Sequence, residues 1–245
     1  MNIEAAKIFS QLILSDRTIR IKLLGDSITH GVGGTGFAQD GDPIVPGYAR
    51  NPNGHCWANL FRDYLESQYD CKVVNNACTG TTIQFILENF DALVAPEDDI
   101  VVCVIGTNNR HQYFKDGPQM TRKGYMQQFY RYILELHAKF QAAGKTVIFV
   151  ANIPAGYPNE QDGEEFWRLF HMNDVQDLYL KASFACGFPL ICLYTRFLEY
   201  CRYCHVSVNA LLADTLHPND EGHRVMFRLM LSELGIAEKL TEEGF

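Results

Sequence analysis

Five residues spread over the chain have the types that acyl-transfer chemistry requires: Ser27, Gly80, Asn108, Asp214 and His217. A hydrolytic serine needs a base that takes its proton, a group that orients that base, and donors for the developing oxyanion. The chain offers one candidate for each role. Asp214 and His217 are three residues apart, so in a turn both side chains can lie on one side of the backbone. The carboxylate could then hold the imidazole in one tautomer.

Ser27 directly follows a stretch that is typical of a buried strand. The apolar run from Ile19 to Leu24 is broken at once by Gly25 and Asp26. Open α/β sheets bind their ligands at the carboxyl ends of strands, and a helix starting there would point its free N–H groups at the same place. A serine is also a common helix N-cap. This stretch alone does not decide between a nucleophile and a cap.

Strand patterns and helix patterns alternate along the whole chain. Strands are predicted at about 19–24, 72–75, 99–105, 145–151 and 189–192, and helices at about 3–14, 54–69, 82–89, 119–143, 165–186, 195–200 and 219–234. The strands at 100–105 and 146–151 are continuously apolar, as in parallel strands covered on both faces. We therefore expect an α/β fold with a mainly parallel five-stranded sheet, and one domain over residues 1–245.

Residues 30–53 form an irregular region that is too long for a simple connection. Eight glycines and prolines lie between Gly31 and Gly47. A loop of this length just after a candidate nucleophile is more often a pocket wall or lid than a linker. Tyr48, Arg50 and Trp57 could line that pocket or pack beneath the loop, and the sequence leaves both readings open.

The charge and hydropathy of the chain exclude several classes of function. The net charge is −8, with 21 basic and 29 acidic residues, which argues against a nucleic-acid surface and a basic membrane-binding face. No run approaches the roughly 20 apolar residues of a membrane span. The start of the chain lacks the basic and apolar regions of a signal peptide. We expect a cytoplasmic protein with no nucleic-acid partner and no stable membrane association; nothing in the sequence specifies an oligomeric state.

Eight cysteines are present, and we expect them to be reduced thiols because no export signal accompanies them. Residues 201–205 spell the C-x-x-C-H string of covalent haem attachment. That pattern requires export and a haem-burying fold, so chance spacing is the preferred interpretation. A zinc site would need two further ligands at suitable spacing. The sequence predicts no metal and no cofactor.

Four short segments together resemble the conserved blocks of the SGNH, or GDSL, hydrolases. In chain order they are Gly25-Asp26-Ser27-Ile28-Thr29, Asn76-Ala77-Cys78-Thr79-Gly80, Gly106-Thr107-Asn108 and Asp214-Thr215-Leu216-His217-Pro218. The resemblance spans nearly the whole chain and implies a flavodoxin-like three-layer α/β/α sandwich. It implies Ser27 as nucleophile, His217 as general base and Asp214 as its orienting partner. The oxyanion hole would consist of the Ser27 N–H, the Gly80 N–H and the Asn108 side-chain amide.

One position departs from that family pattern. The third block usually continues with an acidic residue, whereas this chain has Asn109. An uncharged amide can still form a hydrogen bond to the neighbouring loop, so the expected effect falls on the rigidity of the loop. Asp26 is expected to anchor the nucleophile turn through backbone hydrogen bonds, and Pro218 is expected in the first turn of the last helix.

Several other polar residues lie near the blocks. His30 could line the pocket, although a helix-surface position is the preferred interpretation, and His223 is expected to be structural. Arg110 and His111 could contact a polar acyl acceptor, but solvation in a loop is preferred for both.

The leading hypothesis is a metal-independent serine esterase that hydrolyses small acyl esters, such as O-acetyl groups on carbohydrate. A lysophospholipase, an acyl-thioesterase or an acyltransferase would use the same triad, and the sequence leaves them open. A non-catalytic carbohydrate-binding protein of this fold would have a broken catalytic position, and here all five candidates are present. The expected partner is therefore a small-molecule acyl ester, with an acetylated carbohydrate as the favoured type.

Overall fold

The computed structural model describes residues 1–111, 120–157 and 168–236. In chain order the strands are β1 (Ile19–Gly25), β2 (Pro43–Val45), β3 (Tyr48–Ala49), β4 (Cys71–Asn75), β5 (Ile100–Val104), β6 (Thr146–Ala151) and β7 (Leu190–Cys192). Five of them form one parallel sheet in the order β4-β1-β5-β6-β7. Numbered along the chain, these five strands have the order 2-1-3-4-5, which is the flavodoxin-like arrangement. The predicted fold class is confirmed.

Helices cover both faces of this sheet. They are α1 (Ile3–Phe9), α2 (Gln11–Leu14), α3 (Ser27–His30), α4 (Trp57–Gln68), α5 (Ile83–Glu88), α6 (Phe90–Leu93), α7 (Arg122–Ala142), α8 (Met172–Cys186), α9 (Leu193–Tyr203) and α10 (Asp220–Glu233). One core lies between the sheet and α1, α4, α9 and α10, and the other between the sheet and α5 to α8. Strand β5 contributes alternate side chains to each: Val102 to the first core and Cys103 to the second. Burial on both faces explains why β5 is apolar throughout.

The chain connections diverge at the carboxyl ends of β1 and β5. Residues Ile21 to Gly25 of β1 pair in register with Ile100 to Val104 of β5. From β1 the chain crosses to the neighbour on one side, β4, and then returns to β5 on the other side. Open α/β sheets bind ligands where the connections diverge in this way. Ser27 follows β1 and Asn108 follows β5, so both residues lie at the edge of the sheet where the connections diverge.

The element boundaries differ from the sequence predictions in a few places. The leading helix is divided into α1 and α2 at Ser10, whose hydroxyl donates a hydrogen bond to the Lys7 carbonyl. Residues 43–49 form an antiparallel hairpin that was not predicted, because strands of three and two residues show no alternation. The helix predicted near 195–200 extends over Leu193–Tyr203. The predicted starts of two helices at 119 and 165 and the end of the 1–245 domain lie outside the described residues.

Candidate active site

Ser27 is the first residue of α3, and the residue before it caps that helix. The Asp26 carboxylate accepts a hydrogen bond of 3.1 Å from the Ile28 N–H. The interpretation of Ser27 as an N-cap is therefore wrong, since Asp26 has that role, as expected of an anchor for this turn. The helix comes close to the sheet at Gly25, where a Cβ atom would lie 2.5 Å from the Thr29 hydroxyl oxygen. Only glycine fits the end of β1 without moving its neighbours.

The three residues Ser27, His217 and Asp214 form a continuous hydrogen-bonded chain. His217 Nε2 lies 2.9 Å from Ser27 Oγ, and His217 Nδ1 lies 2.7 Å from Asp214 Oδ2. Because a carboxylate only accepts, Nδ1 carries the hydrogen, and Nε2 is left to accept the Ser27 proton. The structure thus brings together three residues that are up to 190 positions apart.

The second carboxylate oxygen of Asp214 is held by the backbone of its own turn. Oδ1 accepts hydrogen bonds from the N–H groups of Leu216, at 2.6 Å, and His217, at 2.7 Å. Desolvation by partial burial raises the pKa of Asp214, but these bonds and the His217 side chain together lower that pKa below its usual value. The carboxylate therefore stays ionised, as an orienting group must.

The turn that carries the pair is closed by a short antiparallel contact. The Ala213 N–H donates to the His217 carbonyl at 2.8 Å, and Leu212 pairs with Pro218. Pro218 therefore belongs to this bridge, and the prediction that it lies in the first turn of the last helix is wrong. Asn219 is the N-cap of α10. The proline fixes the end of the Asp–His turn rather than the start of the helix.

The other two predicted site residues lie on loops that are joined to each other and to β1. Gly80 has a φ of +74°, in the left-handed region that favours glycine. Its neighbour Thr81 donates a hydroxyl hydrogen bond to the Cys78 carbonyl at 2.7 Å and lies 3.3 Å from the Gly25 carbonyl. The Asn108 side-chain nitrogen donates to the Thr81 carbonyl at 2.8 Å. Thr81 therefore links the loop after β4 to the end of β1 and to the loop after β5.

Asn109, which departs from the family pattern, also bonds to the neighbouring loop. Its side-chain oxygen accepts from the Ile83 N–H at 3.0 Å, and its nitrogen donates to Gln84 Oε1 at 2.7 Å. The predicted contact of an uncharged amide with that loop is confirmed. The amide oxygen accepts from a free N–H group at the start of α5. A carboxylate oxygen could accept the same hydrogen bond.

Arg110 and His111 differ in their burial. The Arg110 side chain is fully buried, and its Nε donates to the Thr107 carbonyl at 3.2 Å. His111 forms an isolated bridge with Arg168. Burial, with the nearby Arg168 and Arg110 charges, lowers the pKa of His111 to about 4. The preferred interpretation of Arg110 as a solvated residue is wrong, because it is buried where the Asn108 loop meets residues 168–169, whereas His111 is half-buried.

The remaining candidates are separated by their burial. Trp57 is fully buried in the core that contains α1, α4, α9 and α10, whereas the Tyr48 ring packs edge-on against Phe85 with centroids 5.5 Å apart. His223 is buried on α10, as expected of a structural residue. His30 is also buried, so its predicted helix-surface position is wrong. Its partners lie far along the chain, and no local sequence signal indicates them.

Asp26, directly before Ser27, is shielded from solvent. The side chain is completely buried, and desolvation raises the pKa of its carboxyl, although Thr107 and the Ile28 N–H act in the opposite direction. All eight cysteines are free thiols, and burial raises the pKa of Cys78 to about 12.

In residues 1–111, 120–157 and 168–236, no group of His, Cys, Asp or Glu side chains is placed to hold a metal ion. Within the same ranges no helix has the length and apolar character needed to cross a bilayer.

Comparison with known proteins gives one family and a set of similar folds. The model of the GDSL-like lipase/acylhydrolase family matches residues 23–225. No curated protein matches the chain. Among solved structures, an acetylxylan esterase from Geobacillus stearothermophilus is 18% identical with a TM-score of 0.66, covering 91% of this chain and 98% of its own. An α/β hydrolase from the metagenome of Lake Arreo, Spain, is 20% identical with a TM-score of 0.68, with the same coverage of 91% and 98%. The acetyl xylan esterase AlAXEase is 18% identical with a TM-score of 0.64, covering 87% and 98%.

Proposed function

The chain belongs to the GDSL-like lipase/acylhydrolase family, and we propose that it is a serine esterase that removes small acyl groups through an acyl-enzyme on Ser27. The family makes it an ester-hydrolysing enzyme. The observation that carries the assignment of the nucleophile is the contact of 2.9 Å between Ser27 Oγ and His217 Nε2. Catalytic mutants of the Geobacillus acetylxylan esterase replace a serine or an aspartate with alanine, which supports these residue types in the two roles.

Each of the three hydrogen-bonded residues has its own role in the proposed reaction. His217 Nε2 takes the Ser27 proton as Oγ bonds to the ester carbonyl carbon, and the carbonyl π electrons move to its oxygen. When that tetrahedral intermediate collapses, the bond to the leaving alcohol breaks and Nε2 gives the proton to the alcohol oxygen. Water then repeats both steps on the acyl-enzyme and releases the acid. Asp214 stabilises the imidazolium that exists between the two proton transfers.

Three neutral donors would receive the oxyanion: the backbone N–H groups of Ser27 and Gly80, and the side-chain amide of Asn108. Asn108 Nδ2 carries two hydrogens and donates one to Thr81, which leaves the second for the substrate. A glycine at position 80 also lets the substrate approach the backbone without meeting a side chain. Donors fixed before the reaction need no reorganisation as charge develops.

We further propose O-acetyl groups on a carbohydrate as the substrate. Two of the structural neighbours are acetylxylan esterases. The region that follows the nucleophile is polar and rich in glycine, and the chain carries a net charge of −8. These features suit a neutral polar substrate better than a long acyl chain or an anionic lipid surface.

An acyl-length series of chromogenic esters, from acetate to palmitate, tests the proposal, together with acetate release from an acetylated xylo-oligosaccharide. We expect acetate to be the best substrate and Ser27→Ala to lose nearly all turnover. Ser67→Ala is the matched control, because Ser67 is an exposed helix serine whose hydroxyl donates to the Tyr64 carbonyl and accepts from the side chain of its neighbour Gln68. Full activity of Ser27→Ala would refute the nucleophile. A preference for long chains would refute the acetyl assignment and leave the mechanism.

Hydrolysis and acyl transfer are separated by the products. In the presence of a free xylo-oligosaccharide, a hydrolase releases one acetate for every chromophore, whereas a transferase acetylates the sugar. We expect the acetate to equal the chromophore at every sugar concentration. A chelator is expected to leave the rate unchanged, because the proposed steps use no metal.

A further inference from the structure

His30 connects the helix of the nucleophile to two other segments. It is the last residue of α3, which Ser27 begins, and its side chain is 1% exposed. Nε2 lies 2.9 Å from the Ala49 carbonyl oxygen in the hairpin, and Nδ1 lies 2.9 Å from the Thr79 hydroxyl oxygen. Thr79 directly precedes Gly80. One ring therefore touches the hairpin and the loop of a proposed oxyanion donor at the same time.

The two contacts determine the tautomer of the ring. A carbonyl oxygen only accepts hydrogen bonds, so Nε2 must carry the hydrogen that Ala49 receives. Nδ1 of the neutral ring is then an acceptor, and the Thr79 hydroxyl donates to it. Burial lowers the pKa of His30, although the bond to the Ala49 carbonyl acts in the opposite direction. The neutral form, in which this arrangement of donors holds, is therefore favoured.

We propose that His30 is a positioning residue that holds the Gly80 N–H in place relative to Ser27. This inference rests on the proposed function, in which Gly80 donates to the oxyanion. Ser27 and His30 are one helical turn apart on the same short helix, so the bond to Thr79 ties the donor loop directly to the nucleophile. Displacing a catalytic group by about 1 Å can reduce turnover about 100-fold.

Two further hydrogen bonds hold the backbone of α3 beside the His30 ring. The Asn75 side chain donates to the Thr29 carbonyl at 2.8 Å, and the Asn51 side chain donates to the His30 carbonyl at 2.9 Å. These bonds fix the backbone of α3, but neither reaches residue 79 or 80. Of the side-chain hydrogen bonds described for Thr79, the one to His30 is the link to α3. The bonds of Thr81 hold the chain after Gly80, and the bond from Thr79 to His30 holds the chain before it.

Conservative variants separate the two arms of the ring. Thr79→Val removes the hydroxyl at constant shape, and Thr79→Ser retains it. His30→Gln can still reach the Ala49 carbonyl with its amide nitrogen but has no acceptor at the Nδ1 position. His30→Asn keeps an acceptor at that position but loses the hydrogen bond to the Ala49 carbonyl in the hairpin. We expect kcat to fall about 10-fold to 100-fold in Thr79→Val and His30→Gln, with KM unchanged. Thr79→Ser should retain kcat within about 2-fold, and His30→Asn should lose less than His30→Gln.

Two further measurements separate positioning from a merely structural role. The inhibition constant of a boronic acid, which forms a tetrahedral adduct on the nucleophile, should rise in proportion to the loss of kcat/KM. The double variant His30→Gln/Thr79→Val should be no slower than either single variant, because both remove one bond. Wild-type kcat in Thr79→Val would overturn the inference. An equal loss in Thr79→Ser, or a loss of thermal stability with kcat unchanged, would do the same.

The Ser27→Ala variant keeps the two proposals distinguishable. If Ser27→Ala is inactive and Thr79→Val has wild-type kcat, only the role of His30 is refuted. If Ser27→Ala retains its activity, the proposed function fails and the role of His30 fails with it.

Discussion

The turn that carries Asp214 and His217 lies at the surface, whereas the loops that carry Gly80 and Asn108 lie in a buried hydrogen-bond network. The Asp214 side chain is 56% exposed, and Asn108 is 9% exposed. We refer to residues 212–218 as the triad turn and to residues 75–81 and 106–110 as the oxyanion loops. The triad turn is held mainly by bonds between near neighbours. The oxyanion loops are held by bonds between residues 27 and 49 positions apart.

This difference fits the roles that we propose for the two regions. A histidine can take up and release a proton near the surface, and a carboxylate in contact with it can stabilise the imidazolium there. An exposed ion pair contributes only about 0–1 kcal/mol to folding. Neutral oxyanion donors have no charge to attract the substrate oxygen from a distance, so they must be held in place beforehand. We expect variants of the triad turn to affect activity alone, and variants of the oxyanion loops to affect both activity and stability.

The largest effect is expected for the proposed base. His217→Ala should reduce kcat by about 10⁶-fold, because neither the nucleophile nor the leaving group then has a proton partner. The matched control is His223→Ala, six positions further along the chain, which removes a buried imidazole with no place in the proposed steps. Steady-state kinetics below the unfolding temperature should show near wild-type kcat for the control. Comparable losses in the two variants would refute the choice of His217.

Asp214→Asn is expected to reduce kcat by about 10⁴-fold. The amide oxygen can still accept from the turn N–H groups, but the amide nitrogen turns a donor toward His217 Nδ1 and favours the wrong tautomer. Urea unfolding should change by less than about 1 kcal/mol, because the Asp214 side chain is 56% exposed. A large loss of stability would break the comparison, since the triad turn would then be held by the charge itself.

Asn108→Ala should reduce kcat by about 10²–10³-fold, which is typical of removing one oxyanion donor. In contrast to the variants of the triad turn, it should also lower the free energy of unfolding by about 1–3 kcal/mol. The cause is that the Thr81 carbonyl loses its buried partner. Kinetics and urea unfolding on the same samples check both parts. Wild-type stability in this variant would remove the distinction between the two regions.

Much of the site could be predicted because its signals are local in sequence. The apolar run before Gly25 places Ser27 at the end of a strand, and the three-residue spacing places Asp214 beside His217. The order of the family blocks predicts that these two segments belong to one site. The fold could be predicted for the same reason, since strands buried on both faces are recognisable as unbroken apolar runs.

The missed features depend on contacts between distant residues. The two-strand hairpin of residues 43–49 is defined by pairing and not by pattern, and Pro218 was misplaced because its partner is Leu212. His30 was predicted as a surface residue because the polar partners that allow its burial, Thr79 and Ala49, lie 49 and 19 positions away. A buried polar group needs such partners, and a single sequence does not say where they are.

His223 makes the buried side of α10 sensitive to acid. Burial lowers the pKa of His223 from 6.5 to about 4, although its bond to the Val32 carbonyl acts in the opposite direction. Between these pH values the unfolded chain binds a proton that the folded chain does not, so the free energy of unfolding decreases as the pH falls from about 6.5 to about 4. The decrease from this residue is on the order of 3 kcal/mol. Urea unfolding of wild type and His223→Leu across that range checks it, and parallel curves would contradict the assignment.

The smallest effect is expected where the chain departs from its family. Asn109→Asp retains the oxygen that accepts from the Ile83 N–H, and Gln84 can rotate its amide to donate instead of accept. The added negative charge lies at the start of α5, where it should stabilise the fold by less than about 1 kcal/mol. We expect kcat to stay within about 3-fold of wild type. Asn109→Ala, which leaves the Ile83 N–H without its acceptor, should be less stable than either protein. If Asn109→Asp lost as much kcat as Asn108→Ala, the oxyanion loops would depend on the amide nitrogen of Asn109 and not on the bond to Ile83 that both side chains can make.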